Sequence, residues 1–167
     1  MKAQATKLSP VLNLIGKTEG TDKGEGYNET LGYGAYTNGS VKLTEMSLNE
    51  VLKVQSGMLK HPDNKHNSSA AGRYQIVSKT LKSLMKEMGL KGDEKFDEAM
   101  QDRMAEHLLK RRGLDDYKAG KITKEEFMDK LAKEWASLPN SKGKGAYAGQ
   151  RTGTDVSSLS AVIDQLA

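Results

Sequence analysis

The sequence contains no cysteine, which excludes disulfide scaffolds, thiol catalysis and cysteine-ligated zinc sites. No apolar run approaches the roughly 20 residues that a transmembrane helix needs, so we expect no stable membrane insertion. The apolar stretch at 11–15 is shorter than the core of at least ~7 residues that a signal peptide needs, so we expect no secretion signal. The 167 residues have the length and composition of one globular domain.

Several motifs that carry chemistry in other enzymes are also missing. There is no Gly-x-Ser-x-Gly segment for a serine nucleophile. The glycines around Lys144 lack the spacing of a phosphate loop and the strand that should precede it. His61, Asp63 and His66 match no zinc spacing, and lysines flank them. The sequence therefore predicts no metal site and no organic cofactor.

The charge balance is mildly basic, with a formal net charge of +4 and a pI of about 9.1. A positive protein favours polyanionic partners, although the excess lysine is equally explained as an aid to solubility. A basic, helical nucleic-acid-binding domain is the alternative from another functional class. Because Lys and Arg are scattered among acidic residues and no recognition helix stands out, we expect no nucleic-acid partner.

Helical periodicity and capping residues dominate the sequence. Pro10 fits the first turn of a first helix, and Ser47 with Glu50 and Thr123 with Glu126 form capping boxes. Apolar residues then recur at helical spacing. Helices are predicted over 9–19, from Ser47 to before Pro62, from Ser78 to Met88, from Asp97 to Gly113, from Thr123 to Leu138, and from Thr154 or Asp155 onward.

Residues 20–43 follow a different pattern, since glycines interrupt every candidate helix and tyrosines lie among them. Asn38-Gly39 is a strong signal for a two-residue hairpin. We therefore predict an α+β, mostly helical fold with a small antiparallel β-sheet after the first helix. Residues 1–167 would form a single catalytic domain, with a small β lobe at about 20–43 and a helical lobe at about 47–167.

Glu19 is the carboxylate of most chemical interest. It follows an apolar helix, whose carboxyl end carries a partial negative charge, and it precedes a glycine turn. That field, together with apolar burial, should raise the pKa of Glu19, as general-acid cleavage of a glycosidic bond requires. The alternative is an exposed helix-end glutamate without a role. Asp22 and Glu29 are candidates for a second carboxylate, although turn-forming roles are favoured for both.

Tyrosines beside glycine-rich loops offer flat apolar faces and hydroxyl groups that suit sugar rings. Tyr74 and Tyr147 occupy such positions, and Gln75 adds a side chain that can hydrogen bond to a sugar. Packing within the loops explains the tyrosines equally well. Trp135 lies on a helical apolar stripe, so we assign it to the core.

Four segments of the chain together resemble lambda-type phage endolysins. They are TEGTD at 18–22, AGRYQ at 71–75, WASLP at 135–139 and GAYAGQ at 145–150, in the order found in the family. The resemblance implies a lysozyme-like fold and lytic transglycosylase activity on peptidoglycan. It places the catalytic glutamate on Glu19, and it assigns substrate binding to the loop residues Tyr74, Gln75, Tyr147 and Gln150.

The resemblance also implies a biological setting, and it leaves alternatives open. We expect a monomer that binds the glycan strands of peptidoglycan, is made in the bacterial host cytoplasm and reaches the cell wall after holin-type release, causing lysis. A hydrolytic muramidase on the same fold is the main alternative, and it would need Asp22 or Glu29 to activate water. A virion-associated lysozyme, a secreted toxin and a sugar-binding module without catalysis also fit the sequence.

Overall fold

The computed structural model describes residues 7–147 and 152–166 of the chain. These residues form two compact units. The first unit comprises residues 21–104, and the second comprises 7–20 together with the described residues from 105 onward. Each unit is described below by itself.

The regular structure of the described residues is helical. All six predicted helices are present, and α5 is an additional short helix that follows the Gly113 turn. No helix in the described ranges is long and apolar enough to cross a membrane. The helices are α1 Ser9–Thr18, α2 Leu48–Lys60, α3 Ser78–Glu87, α4 Glu98–Arg111, α5 Leu114–Lys118, α6 Lys124–Glu134 and α7 Val156–Asp164.

The predicted capping boxes form at the starts of α2 and α6. At α2, the Glu50 N–H donates to the Ser47 hydroxyl over 3.2 Å, and the Ser47 N–H donates to the Glu50 carboxylate over 2.9 Å. Thr123 and Glu126 make the same reciprocal pair at α6. Each such cap stabilises its helix by about 0.5–2 kcal/mol, which explains why local sequence located both starts.

The predicted β-sheet at 20–43 is wrong, because no described residue of this segment belongs to a strand. Short 3₁₀ turns over Thr21–Lys23 and Gly26–Asn28 take its place, and a third, Leu43–Glu45, follows. Asn38 and Gly39 do adopt positive φ, at 58° and 119°, as a hairpin turn would require. Pairing is limited to isolated bridges, such as Thr30 with Ala71. The β lobe is therefore replaced by a series of turns.

Local turn bonds explain why strands do not form here. The N–H groups of Tyr33, Ala35 and Thr37 each donate to the carbonyl three residues earlier. These bonds use donors that a strand would direct to a neighbour. Gly34 also packs so closely on Gly39 that an added Cβ would lie 2.9 Å from the Gly39 carbonyl oxygen. The segment thus folds back on itself.

The core of the first unit lies where α2 packs against α3. Gln55 is fully buried on α2, and its amide nitrogen donates to the carbonyls of Ser69 and Ile76 at 2.9 and 2.8 Å. These bonds hold the 69–76 segment against the helix. The fully buried apolar side chains of this unit include Leu43, Leu48, Val51, Met58, Ala71, Leu81, Leu84 and Phe96.

The core of the second unit forms where α1 and α6 pack against α7, with α5 against α6. Trp135 is 3% exposed, which confirms its assignment to the core. Tyr117 of α5 stacks on Phe127 of α6 with 5.2 Å between ring centroids. The apolar side chains with no exposure in this unit include Val11, Ile15, Leu109, Phe127, Leu131, Leu138, Leu159 and Ile163.

Candidate active site

Glu19 is the residue that ends α1. Its N–H donates to the Ile15 carbonyl over 2.8 Å, and Gly20 then takes a left-handed φ of 80° that turns the chain away. This geometry places the Glu19 carboxyl group at the negative end of the helix dipole, as the sequence predicts.

Among the described residues, the side-chain partner of the half-buried Glu19 carboxyl group is a hydroxyl group. The Ser137 Oγ donates to Glu19 Oε1 over 3.0 Å. Burial raises the pKa of Glu19 above its ordinary value of 4.5, and the Ser137 hydrogen bond, which favours the ionised form, offsets only part of this effect. A carboxylic acid in this position keeps its proton to higher pH than an exposed glutamate.

Ser137 lies in the loop that follows α6. Its neighbours Trp135 and Leu138 are both buried, and the Leu138 N–H donates to the Trp135 carbonyl over 2.9 Å. The Gly153 N–H donates to the Ser137 carbonyl over 2.8 Å. Sequence reasoning used Ser137 only as part of the WASLP segment. The available signal was a small polar residue enclosed between two core side chains.

Gly153 approaches the end of α1 more closely than any larger residue could. An added Cβ would lie 2.8 Å from the Thr18 carbonyl oxygen and 3.0 Å from the Thr18 Cα. Backbone atoms cannot yield as a flexible side chain would. Glycine at this position therefore allows one short segment to contact both Thr18 and Ser137.

Asp22 makes a bidentate ion pair. The Arg73 Nε and Nη2 groups donate to its two carboxylate oxygens over 2.8 and 3.0 Å. The Arg73 side chain is only 12% exposed, whereas the Asp22 side chain is 37% exposed, so one partner of the pair is buried and the other faces solvent. Both oxygens of Asp22 are thus engaged, in an ion pair rather than in the turn role favoured from sequence.

Tyr74 lies in the interior of the same cluster, with 1% exposure. Its hydroxyl donates to Asp102, which also accepts a 2.8 Å hydrogen bond from the hydroxyl of Tyr27. The Arg73 guanidinium lies 5.3 and 5.6 Å from the ring centroids of Tyr27 and Tyr74. Burial, followed by Asp102, raises the pKa of Tyr74 far above its ordinary value. This interior position argues against the predicted contact between Tyr74 and a sugar.

Glu29 is 5% exposed and binds backbone groups. Its Oε1 accepts from the Glu25 N–H and its Oε2 from the Thr30 N–H, each over 3.2 Å. A Cβ on Gly24 would lie 2.0 Å from Oε1, so glycine makes room for this carboxylate. The geometry matches the turn role favoured from sequence.

The other predicted binding residues differ in exposure. Tyr147 is 55% exposed, and its hydroxyl donates to the Lys133 carbonyl over 3.0 Å. Gln75 is half-buried, and its amide donates to the Gly72 carbonyl over 2.9 Å. Gln150 lies outside the described residues. Within the part of the chain that the structure describes, no three His, Cys, Asp or Glu side chains are grouped to hold a metal.

Comparisons with known proteins agree with this description. The profile of the endolysin family matches residues 9–165. The endolysin of Escherichia phage lambda is 30% identical over 137 residues, which cover 81% of this chain and 78% of the relative. A solved structure of bacteriophage lambda lysozyme in complex with a chitohexasaccharide matches with a TM-score of 0.60 and 25% identity, covering 99% of this chain and 97% of that one. The described fold is thus lysozyme-like, and the chain belongs to the endolysin family of peptidoglycan-degrading enzymes.

Proposed function

We propose that the protein is a lytic transglycosylase. It cleaves the β-1,4 bond between N-acetylmuramic acid and N-acetylglucosamine and leaves a 1,6-anhydro ring on the muramic acid. The observation that carries the proposal is the environment of Glu19: a half-buried carboxyl group with a raised pKa, bonded to a neutral hydroxyl. Such a group holds a proton to higher pH than an exposed glutamate, and a hydrogen bond stabilises its ionised form. A single residue that acts first as an acid and then as a base needs both properties.

In the first step Glu19 acts as a general acid. It gives its proton to the glycosidic oxygen while the bond from that oxygen to the anomeric carbon breaks. The raised pKa of Glu19 keeps this proton available closer to neutral pH. The acetamido group of the substrate stabilises the cationic anomeric carbon, as in substrate-assisted glycosidases. The leaving sugar departs with a neutral hydroxyl group.

In the second step Glu19 acts as the base. Its carboxylate, which the Ser137 hydroxyl stabilises, takes the proton from the 6-hydroxyl of the same muramic acid. The 6-oxygen then bonds to the anomeric carbon, closes the anhydro ring and restores protonated Glu19. An intramolecular nucleophile has a large effective concentration, so no water molecule needs activation.

The alternative, a hydrolytic muramidase, needs a second carboxylate that activates water. The contacts of both candidates favour transglycosylation instead. Asp22 has both oxygens bound to Arg73, and Glu29 is buried with both oxygens bound to backbone N–H groups. Each of these four oxygens already accepts a hydrogen bond within the protein, which supports structural roles for Asp22 and Glu29 rather than activation of water.

The substrate is proposed to be the glycan strand of peptidoglycan. The chitohexasaccharide bound by the lambda lysozyme supports a polymer of amino sugars as the ligand class. Tyr147 and Gln75 keep their proposed binding roles because part of each side chain is exposed. Gln150 keeps its role as a sequence prediction, whereas for Tyr74 we propose a packing role.

The cellular setting follows from the family. We propose that the enzyme is a monomeric single domain, made in the bacterial host cytoplasm, that reaches the cell wall through a holin. Co-expression with and without a holin tests the route, since lysis should require both proteins. Size-exclusion chromatography with light scattering tests the monomer.

Digestion of purified peptidoglycan, with product masses read by mass spectrometry, tests the reaction. The wild-type enzyme should release muropeptides with anhydro ends, which are one water lighter than hydrolysis products. Glu19→Gln should release none. Glu106→Gln, which removes an α4 carboxylate that pairs with Lys110 and has an exposed side chain, is the matched control and should remain active. Ordinary reducing ends from the wild-type enzyme would instead establish the hydrolase.

A further inference from the structure

The Ser137 hydroxyl has two acceptors within reach but a single hydrogen. Its Oγ lies 3.0 Å from Glu19 Oε1 and 3.0 Å from Thr18 Oγ1. It can donate to only one of them at a time. The acceptor that receives this hydrogen must therefore depend on the protonation and hydrogen bonding of Glu19 and Thr18.

Thr18 is oriented to act as an acceptor. Its own hydroxyl hydrogen is directed to the Ile15 carbonyl of the same helix, at 3.2 Å. The lone pairs of Thr18 Oγ1 are then left for the Ser137 hydroxyl. The three oxygens of Glu19, Ser137 and Thr18 thus form a chain that ends on a helix carbonyl.

On the basis of the function proposed above, we propose that Ser137 and Thr18 are positioning residues that form a hydroxyl switch for the two protonation states of Glu19. When Glu19 is ionised, Ser137 donates to its carboxylate. When Glu19 is protonated in the enzyme without substrate, it can donate to Ser137 Oγ, and the Ser137 hydrogen turns to Thr18; in the substrate complex the same Glu19 proton is directed to the glycosidic oxygen instead. Ser137 and Thr18 keep their own protons throughout: Glu19 exchanges its proton with the substrate, and the Ser137 hydroxyl only rotates.

In both states every hydroxyl hydrogen of Glu19, Ser137 and Thr18 has an acceptor. The switch therefore supports a residue that acts first as an acid and then as a base. Without Thr18, the protonated state would leave the Ser137 hydrogen without an acceptor in a partly buried site. Without Ser137, the ionised state would lose the recorded donor to its carboxylate. The two residues therefore favour opposite protonation states of Glu19.

The surrounding backbone holds the switch in place. The Gly153 N–H fixes the Ser137 carbonyl at 2.8 Å, and the same glycine packs directly on the Thr18 backbone. The Thr18 side chain belongs to α1, which packs against α7. Rotation of one hydroxyl hydrogen therefore needs no movement of the chain.

The described charged groups on and beside α7 are engaged elsewhere. On α7, Asp164 pairs with Lys124, and Asp155 caps the helix by accepting from the Ser158 N–H. Lys17 of α1 is exposed, and the described segments 136–139 and 152–154 contain no titratable side chain. Ser137 and burial are accordingly the causes that set the pKa of Glu19.

The test is the titration of the Glu19 carboxyl carbon by NMR in the wild type, Ser137→Ala and Thr18→Val, with the signal assigned by its loss in Glu19→Gln. Ser137→Ala should shift the titration of Glu19 to higher pH, and Thr18→Val should shift it to lower pH. Each change should alter the ratio of ionised to protonated Glu19 at fixed pH by roughly tenfold. The alkaline limb of the pH–activity profile should move in the same two directions.

Two controls separate the switch from general damage. Thr18→Ser keeps the hydroxyl and should restore the wild-type titration. Ser160→Ala removes a hydroxyl bonded to Lys124 and should leave the titration of Glu19 unchanged. Shifts in the same direction, or no shift, in Ser137→Ala and Thr18→Val would overturn the inference. An active Glu19→Gln enzyme would instead overturn the proposed function, because the titration is measured independently of activity.

Discussion

Two carboxylates near the end of α1 have opposite surroundings. Glu19, in the second unit, meets a neutral serine hydroxyl, and its burial raises its pKa. Asp22, in the first unit, meets the Arg73 guanidinium through two charge-assisted hydrogen bonds. The partner therefore decides what each group can do: a carboxylate beside a hydroxyl can exchange a proton, whereas one bound to a guanidinium anchors the chain.

The variant Arg73→Ala tests whether the ion pair between Asp22 and Arg73 anchors the chain, and its expected effect on stability is among the largest. The change leaves Asp22 without its cation and removes the group that lies over the rings of Tyr27 and Tyr74. The free energy of unfolding should fall by about 1–3 kcal/mol, because the change removes two charge-assisted hydrogen bonds and the packing of the largely buried Arg73 side chain. Chemical denaturation measures it. Arg103→Ala, on the exposed face of α4, is the control, and an equal loss there would argue against a special role for Arg73.

Gly153→Ala tests the close packing around Glu19. The new Cβ would meet the Thr18 backbone at 2.8 Å, so stability should fall by about 1–3 kcal/mol, and activity should fall with it as Ser137 and Thr18 separate. Gly57→Ala is the matched control on α2, where nothing lies within 4 Å of the added Cβ. That change should stabilise the protein by roughly 0.5–1 kcal/mol. Thermal unfolding compares the two, and equal effects would refute the packing argument.

Tyr74→Phe separates packing from substrate binding in the first unit. Loss of the hydroxyl that donates to Asp102 should reduce stability by about 1 kcal/mol, while KM for soluble peptidoglycan fragments should stay unchanged. Tyr33→Phe, on a side chain that is 64% exposed, should alter stability by less than about 0.5 kcal/mol. If Tyr74→Phe instead raised KM and left stability unchanged, Tyr74 would be a substrate-binding residue, as the sequence predicts.

The smallest expected effect is a pH dependence of stability. The pKa of Glu19 is raised by burial, so this carboxyl group stabilises the fold below its ordinary pKa of 4.5. That contribution is lost as the pH rises through the higher pKa of the folded state. Glu19→Gln should therefore gain stability relative to the wild type as the pH increases from 4.5. Denaturation series across this range measure the trend, with Glu106→Gln to correct for the loss of one charge. A gain at falling pH would contradict the burial of Glu19.

Sequence reasoning succeeded where the deciding interactions are local. The capping boxes of Ser47 and Thr123 are complete within four residues, so the helix starts were predictable. The hairpin signal at Asn38-Gly39 predicted the turn, but strands also need partners, and the flanking residues form local turns instead. The hydroxyl of the buried Tyr74 likewise bonds to Asp102, which lies 28 residues later in the chain.

In the candidate site, too, local features were predictable from the sequence and long-range contacts were not. Glu19 was recognisable from its position at a helix end before glycine, and the family resemblance reinforced it. Its partner Ser137 is 118 residues away, and Arg73 is 51 residues from Asp22. Contacts at such separations depend on tertiary packing, which no local pattern encodes. The roles of Ser137, Thr18 and Gly153 therefore emerged only from the structure.

The most direct test of the central claim compares Glu19→Gln with Asp22→Asn in one assay of peptidoglycan turnover, corrected for the folded fraction. The loss of a general acid–base group should reduce the activity of Glu19→Gln by about 10²–10⁴-fold. Asp22→Asn should be less stable, yet its folded molecules should still form anhydro products at a rate close to that of the wild type. An equal loss of turnover in both variants would contradict the division of roles between acid and anchor.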